Sequence, residues 1–335
     1  MNLKVENFSE REKGIIEYLD KNGEPGRATG FQCLDDFYTI KDGGVTDWTG
    51  FPASGKSYLV FELLMTQAEM FGKRTALYVP DIGNYNEIWS KLMMMYSGKN
   101  FNDKYGNKVT ETDILKAKDW INFHFLILGK KDIKKSVSPI DYFEFVCEYK
   151  DDAGCIHSGM IDSWKNFYHD FAGKREDLYL DEVLAQRNEL SEKYMKHFHT
   201  IAHATKTEID ENNMQTDSNG NKKKKRRVPD ANDIKGGGSW YANGKCIISV
   251  DFPDKSSNGL DLFVSKTKPE GVGKVGALIN EIKLDYSRHR FYEIINGQKR
   301  FTFSGKVVTP VAEDVKLPPN LNFHEEKKTV DESPF

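Results

Sequence analysis

No stretch of this 335-residue chain approaches the roughly 20 apolar residues that a bilayer-crossing helix requires. The amino terminus, Met1 to Glu10, has no apolar segment of the kind a secretory signal needs. These absences exclude a helical membrane protein, and the expectation is a cytoplasmic chain with no membrane partner. Cysteine is scarce as well. Cys33, Cys147, Cys155 and Cys246 form no C-x-x-C pair and have no histidine at ligand spacing, so reduced, packed thiols are expected rather than a disulfide or zinc framework. An excess of one charge is also missing: 48 Lys and Arg against 51 Asp and Glu leave a net charge of −3. Bulk charge therefore does not announce a nucleic-acid binder, and placement matters more than the sum. Aromatics at 12% suffice for a core, in a chain with room for one large domain with appendages or two modest ones.

What is present is a phosphate loop. Gly50-Phe51-Pro52-Ala53-Ser54-Gly55-Lys56-Ser57 matches G-x-x-x-x-G-K-[ST]. In such a loop the backbone N–H groups wrap a β-phosphate, so Gly50, Pro52, Ala53, Ser54, Gly55 and Tyr58 join Lys56 and Ser57 as expected contacts. Lys56 would reach the β- and γ-phosphates, and Ser57 would place its hydroxyl on Mg²⁺. A strand ends at Thr49, and a helix from Tyr58 to Phe71 carries Leu59, Leu63 and Met70 on one side. The phosphates of ATP would thus sit on a helix N-terminus, where dipole and free N–H groups favour anions.

Around this loop the pattern alternates. Strands are expected at 44–49, 74–79, 123–128, 155–161 and 198–202, with helices at 57–71, 84–97, 139–149 and around 180–197; Ser138 is a plausible N-cap. Such alternation predicts an α/β fold, a mostly parallel sheet with helices on both faces, whose ligands bind at the carboxyl ends of the strands. A thin apolar stripe, Ile15, Ile16 and Leu19, marks a charged helix over 6–22 that leans on something else. Residues 207–232 are too polar to pack. Strands at 245–251, 260–266, 276–284 and 290–295, with turns at Asn258-Gly259 and Asn296-Gly297, form an expected β extension, and a Pro-containing tail follows from 306.

Hydrolysis needs more than a phosphate loop. A carboxylate at the end of a neighbouring apolar strand must hold Mg²⁺, and Asp162, closing Cys155 to Asp162, supplies it. A second must orient or deprotonate the attacking water. Asp81 is positioned for that, though a loop acid capping a turn has the same appearance. His203, after the strand ending at Ala202, is placed to sense a γ-phosphate, or is a hydrogen-bonded structural histidine.

In order along the chain, several segments resemble the hexameric replicative helicases of the DnaB and Twinkle type, which have a RecA-like motor. Thr29 to Tyr38 resembles the opening strand and turn, and Trp48 to Ser57 the phosphate loop. Tyr78-Val79-Pro80-Asp81 resembles the strand with the catalytic acid, and Ile161 to Asn166 the Asp-Pro-Trp-Asn form of the Mg²⁺ strand. Ile201 to Lys206 resembles the sensor Ala-His-Pro-Thr-Lys, Asp233 to Trp240 the Gly-rich DNA-contacting motif, and Ser265 to Lys268 with Gly273 to Gly276 the strand with a trans-acting finger. The resemblance covers residues 29 to 295 and lacks a primase or zinc-binding part, which suggests a phage or mobile-element protein. It implies a 5′–3′-type ATP-dependent DNA helicase, with residues 29–305 as the motor and 1–28 as a linker helix docking on the adjacent subunit of a homo-hexamer. Lys268 would be the finger, with Lys266 beside it on the neighbour's ATP. Lys235, Gly236 and Gly237 would approach single-stranded DNA closely. Two departures predict slower turnover: Asp81 is one methylene shorter than the usual Glu, and Lys268 replaces an Arg whose planar fork a lysine lacks.

In these ring enzymes the segments between the sensor strand and the Gly-rich motif face the channel, where Lys222, Lys223, Lys224, Lys225, Arg226 and Arg227 lie. Repeated around a ring they would give sequence-independent, salt-sensitive affinity by backbone tracking; alone they would be a solvated loop. The end, Thr329 to Phe335, resembles acidic, aromatic-terminated tails that bind replisome partners such as a polymerase or primase. A filament-forming RecA-like recombinase and a weakly hydrolysing ATP-binding assembly factor remain as alternatives.

Overall fold

A computed structural model describes residues 8–20, 23, 25–102, 104, 106–129, 136–205, 209–216, 222–226, 228–252, 258–268, 271–276 and 278–303. Helix α1 (Phe8–Asp20) buries none of its side chains, as its thin stripe predicts, and α2 (Gln32–Asp35) is a single turn. The motor begins with β1 (Val45–Gly50), α3 (Lys56–Phe71), β2 (Thr75–Tyr78) and α4 (Tyr85–Ser97). It continues through α5 (Glu111–His124), β3 (Phe125–Ile127), α6 (Pro139–Glu148), the short pair β4 (Lys150–Asp151) and β5 (Gly154–Cys155), then β6 (Ser158–Asp162). Next come α7 (Glu176–Tyr194), β7 (His197–His203), β8 (Ile209–Thr216), β9 (Lys222–Arg226), α8 (Gly237–Asn243) and β10 (Cys246–Asp251). The chain closes with β11 (Asp261–Lys266), β12 (Leu278–Ile279), β13 (Lys283–Asp285), β14 (Arg290–Ile295) and β15 (Gln298–Phe301).

The main sheet runs β12-β11-β10-β1-β7-β6-β2-β3. From β10 to β3 every neighbour is parallel, while β11 and β12 add antiparallel. Strand β7 lies between the phosphate-loop strand β1 and the Mg²⁺ strand β6. Helices cover both faces: Leu59, Leu63, Leu92 and Ile121 of α3 to α5 pack on one, Phe143, Val146 and Val183 of α6 and α7 on the other. Buried strands normally read as apolar runs, yet β1 contains Asp47, fully enclosed. Arg187 of α7 meets it with two hydrogen bonds of 2.5 and 3.1 Å and donates a third to Thr200. The charge is buried because its partner is.

Helix α3 departs from the one-sided stripe expected of it. Residues 59–68 are buried all round, because the β13-β14-β15 sheet lies against the flank away from the main sheet. Glu62, fully buried, accepts from Arg290 Nε at 2.9 and 3.1 Å, from the Phe291 backbone at 3.2 Å and from Thr302 at 2.8 Å. The expected strand over 276–284 is two strands. β12 pairs with β11 in the main sheet and β13 with β14 in the small one, so the chain changes sheets between them. The Asn296-Gly297 turn takes φ of 50° and 77° and joins β14 to β15, as the dipeptide predicts. Helix α5, for which no expectation was formed, has a capping box in which Thr110 and Asp113 satisfy each other's backbone N–H groups. The 207–232 stretch, expected to be unpacked, contains an antiparallel hairpin of β8 and β9 that crosses the basic run. Arg227 and the tail from 304 onward lie outside the described residues.

Candidate active site

Four segments end at the same edge of the sheet. Gly50 closes β1 in register with His203 of β7, and Asp162 closes β6 beside Ile201. After β2 the chain turns through a short 3-10 helix, Pro80–Ile82, with Pro at its first position and Asp81 next to it. The phosphate loop, the expected Mg²⁺ ligand, the expected acid and the expected sensor therefore converge because the strands bearing them are neighbours.

The loop itself is fixed by backbone geometry. Gly50 has φ of 144°, and a Cβ there would lie 2.1 Å from the Val250 carbonyl oxygen, so no other residue fits. Ala53 and Gly55 follow with φ of 60° and 85°, the left-handed conformations that build anion-binding concavities. Lys56 is only 3% exposed, and its ammonium donates to the carbonyls of Gly50 at 3.0 Å and Phe51 at 2.6 Å and to the Ser54 hydroxyl at 3.2 Å. Pro52 and Ala53 lie exposed at the tip. The Tyr58 ring faces away from the loop, stacked on His289 at 6.1 Å with the Lys91 ammonium 5.0 Å from its centroid.

Ser57 donates to Asp162 at 2.5 Å. Burial pushes the Asp162 carboxyl up from its ordinary pKa, the Ser57 hydrogen bond opposes this, and the nearby Asp81 charge adds to it. Asp81 behaves in the opposite way. Partial burial would raise its pKa, but hydrogen bonds from Ser163 at 2.6 Å and Asn166 at 2.7 Å, with the Lys165 ammonium at 3.3 Å, outweigh that and hold it below the usual carboxylate range. His203 Nε2 lies 3.4 Å from the same carboxylate. Burial and then the Lys56 charge lower its pKa, so the ring is neutral at physiological pH.

Asp81, Asp162 and His203 offer ligand atoms within 4.8 Å of one another, with the Ser57 hydroxyl on Asp162. Two carboxylates and a hydroxyl are hard oxygen donors of the kind Mg²⁺ takes, so this donor set fits that ion. Sequence reasoning missed the residues that clasp Asp81. Ser163, Lys165 and Asn166 follow Asp162 directly, and a polar run just past a Mg²⁺ strand was the available signal.

No family model matches the sequence, and no curated protein matches it. Among solved structures the chain is similar to the ATPase domain of a phage helicase, at 13% identity over 87% of this chain and 100% of that one, with a TM-score of 0.66. It is also similar to a DnaB-like replicative helicase, at 14% identity over 86% of this chain and 67% of that one, with a TM-score of 0.63. The fold is RecA-like, that of helicase ATPase domains.

The remaining expected residues lie elsewhere. Because β11 runs antiparallel to β10, its carboxyl end reaches the amino ends of the parallel strands, opposite the phosphate loop. Lys268, exposed there, lines a cleft of about 440 Å³ with Lys41, Thr46 and His197. Lys266 is nearly buried and donates to the carbonyls of Tyr241 and Ala242 at the end of α8, so its ammonium is engaged within its own subunit. Lys235 is exposed and paired with Glu176 at 2.8 Å. Gly236 is left-handed at φ of 75°, and a Cβ on Gly237 would meet Asn232 Cα at 2.5 Å. That glycine is thus required by packing inside the chain, a need separate from close approach by DNA. The backbone of Lys222 to Arg226 forms β9.

Proposed function

We propose that this protein hydrolyses ATP to drive translocation along single-stranded DNA, working as a ring of identical subunits that unwinds duplex DNA in the 5′–3′ sense. The observation that carries the reading is the meeting of Lys56, Ser57 and Asp162 with the clasped Asp81 at one sheet edge. Lys56 takes the charge of the β- and γ-phosphates, and Ser57 with Asp162 holds Mg²⁺, whose part is to neutralise charge developing on the phosphates. Asp81, kept ionised, receives a proton from the attacking water. Neutral His203, one contact from Asp81, reads whether a γ-phosphate is present. Lys268, at the far end of its own sheet, serves the ATP of a neighbouring subunit, while Lys266 braces the strand that carries it. Residues 1–28 join subunits, the β8–β9 hairpin faces the strand, and the tail from 306 tethers a replication partner in the host cytoplasm.

A Mg²⁺-dependent ATPase assay with and without single-stranded DNA, followed by unwinding of a forked duplex, tests this directly. Stimulated hydrolysis with strand separation is expected. Hydrolysis with filaments in negative-stain images and no unwinding would favour a recombinase instead, and no hydrolysis would favour an assembly factor.

A further inference from the structure

Beside the catalytic acid lies a cavity of about 320 Å³ whose use the ATPase reading leaves open. Its walls are aromatic. Trp164 meets Trp240 edge-on at 5.2 Å, and His169 packs on Trp164 at 5.3 Å and on Tyr179 at 5.7 Å. Phe171 packs against Tyr179 at 5.0 Å and is 37% exposed. Burial lowers the His169 pKa, so this wall is uncharged. The mouth is ionic: the side chains of Lys165 and Lys235 are 65% and 73% exposed, the first paired with Asp81 and the second with Glu176. A slot of rings with cations at its lip is the arrangement that takes a planar, polar-edged ring attached to a phosphate chain.

Its position narrows the occupant. Thr205 lines the cavity, and its backbone N–H and hydroxyl both donate to the Asp233 carbonyl, at 2.8 and 2.9 Å, next to the Ala204–Ile234 bridge. Those contacts close the stem from which the hairpin with the basic run projects. A strand whose phosphates follow that hairpin passes the mouth of the cavity. We infer that the cavity receives one unstacked nucleobase of single-stranded DNA, stacked against Phe171 and Tyr179, while Lys165 and Lys235 hold the flanking phosphates. The inference rests on the proposed DNA reading and adds a base contact where the sequence predicted backbone tracking alone. It also places DNA one residue from the acid, since Lys165 cannot bind a phosphate and Asp81 equally well at once.

The test compares two labelled single strands of equal length, oligo-dT and an oligomer of abasic deoxyribose phosphates, by fluorescence anisotropy with the full chain. Their phosphate charge is the same, so counterion release contributes equally to both. The expected result is about tenfold or more tighter binding of oligo-dT, the order a single stacked base supplies. Phe171→Ala should lower oligo-dT affinity toward the abasic value and leave abasic binding as it was, and Phe171→Tyr should restore the preference. Equal, salt-sensitive binding of both strands would overturn the base pocket while the DNA reading stands, and so would a Phe171→Ala loss shared by both. Failure to bind either strand would overturn the DNA reading, and the pocket with it.

Discussion

The two walls of the candidate active site are built on different terms. On the phosphate-loop wall, Lys56, Ser54 and Asp162 are each no more than 3% exposed, and the helix behind them is enclosed by core on every side. On the Asp81 wall the acid's side chain is 27% exposed and is held by a hydroxyl, an amide, an ammonium and an imidazole rather than by packing. A wall set in a close-packed core cannot shift without disturbing that core. A wall held by exchangeable polar contacts can be rearranged by any ligand that competes for one of them. Binding geometry is therefore built into the core here, and the hydrolytic acid is left adjustable.

The sharpest way to break this contrast is to remove the charge each wall supplies. Lys56→Ala should reduce ATPase by at least 10²–10³-fold, roughly the loss seen when one preorganised transition-state donor is removed. Asp81→Asn should lower turnover by a similar order while nucleotide affinity, read by a fluorescent ATP analogue, stays within about twofold. Full turnover in Asp81→Asn would show that another acid is the base and that the adjustable wall is only surface.

Next in size is the support behind the loop. Glu62→Ala would leave Arg290 fully buried without its carboxylate, a change that costs about 3–5 kcal/mol. A denaturant midpoint unmoved by Glu62→Ala would mean that the small sheet does not buttress α3. Nothing in the local sequence announces this pair, whose members are 228 residues apart.

Opposite pH responses follow from the two carboxylates. The Asp162 pKa is raised by burial, so any stability it lends exists below its ordinary value of 3.8 and is lost as pH rises through the folded value. At neutral pH its charge weighs against the fold, and Asp162→Asn should raise Tm in nucleotide-free, Mg²⁺-free buffer although it stops turnover. The Asp81 pKa is lowered, so its contribution is present above 3.8 and disappears as pH falls through the folded value. Asp81→Asn should lower Tm at pH 7, with the difference closing in acid. Shifts of the same sign in both variants, measured by scanning fluorimetry, would erase the contrast.

What the sequence made legible was contiguous. The phosphate loop, the strands ending at Asp162 and Ala202, and the helices capped by Asn84 and Ser138 are each written in a run of neighbouring residues. Helix α5 was equally readable from Thr110 and Asp113, but its exposed Ile114, Leu115 and Phe123 blur the stripe. What could not be read depends on residues distant in sequence. The enclosure of α3 needs Arg290 and Thr302, and the aromatic cavity gathers rings from 164 to 179 and from 240. A scan for aromatics interleaved with the basic run misses them, because the sheet brings them together.

The smallest expected effect concerns a single contact on the adjustable wall. Asn166 donates to Asp81 Oδ1 at 2.7 Å, whereas Ser163, Lys165 and His203 all meet Oδ2. Asn166→Ala therefore frees one carboxylate oxygen and leaves the other held. Losing a donor to the ionised form raises the acid's pKa, and the acid limb of kcat/KM reports the essential base of the free enzyme. That limb should move to higher pH in Asn166→Ala. The plateau should change by no more than about tenfold, since a somewhat stronger base offsets looser positioning. Asn166→Gln, with the same donor on a longer arm, should return the limb toward its original place. If the limb stays fixed in Asn166→Ala while Asp81→Asn abolishes turnover, Asp81 acts by position or on the metal and not by taking the proton.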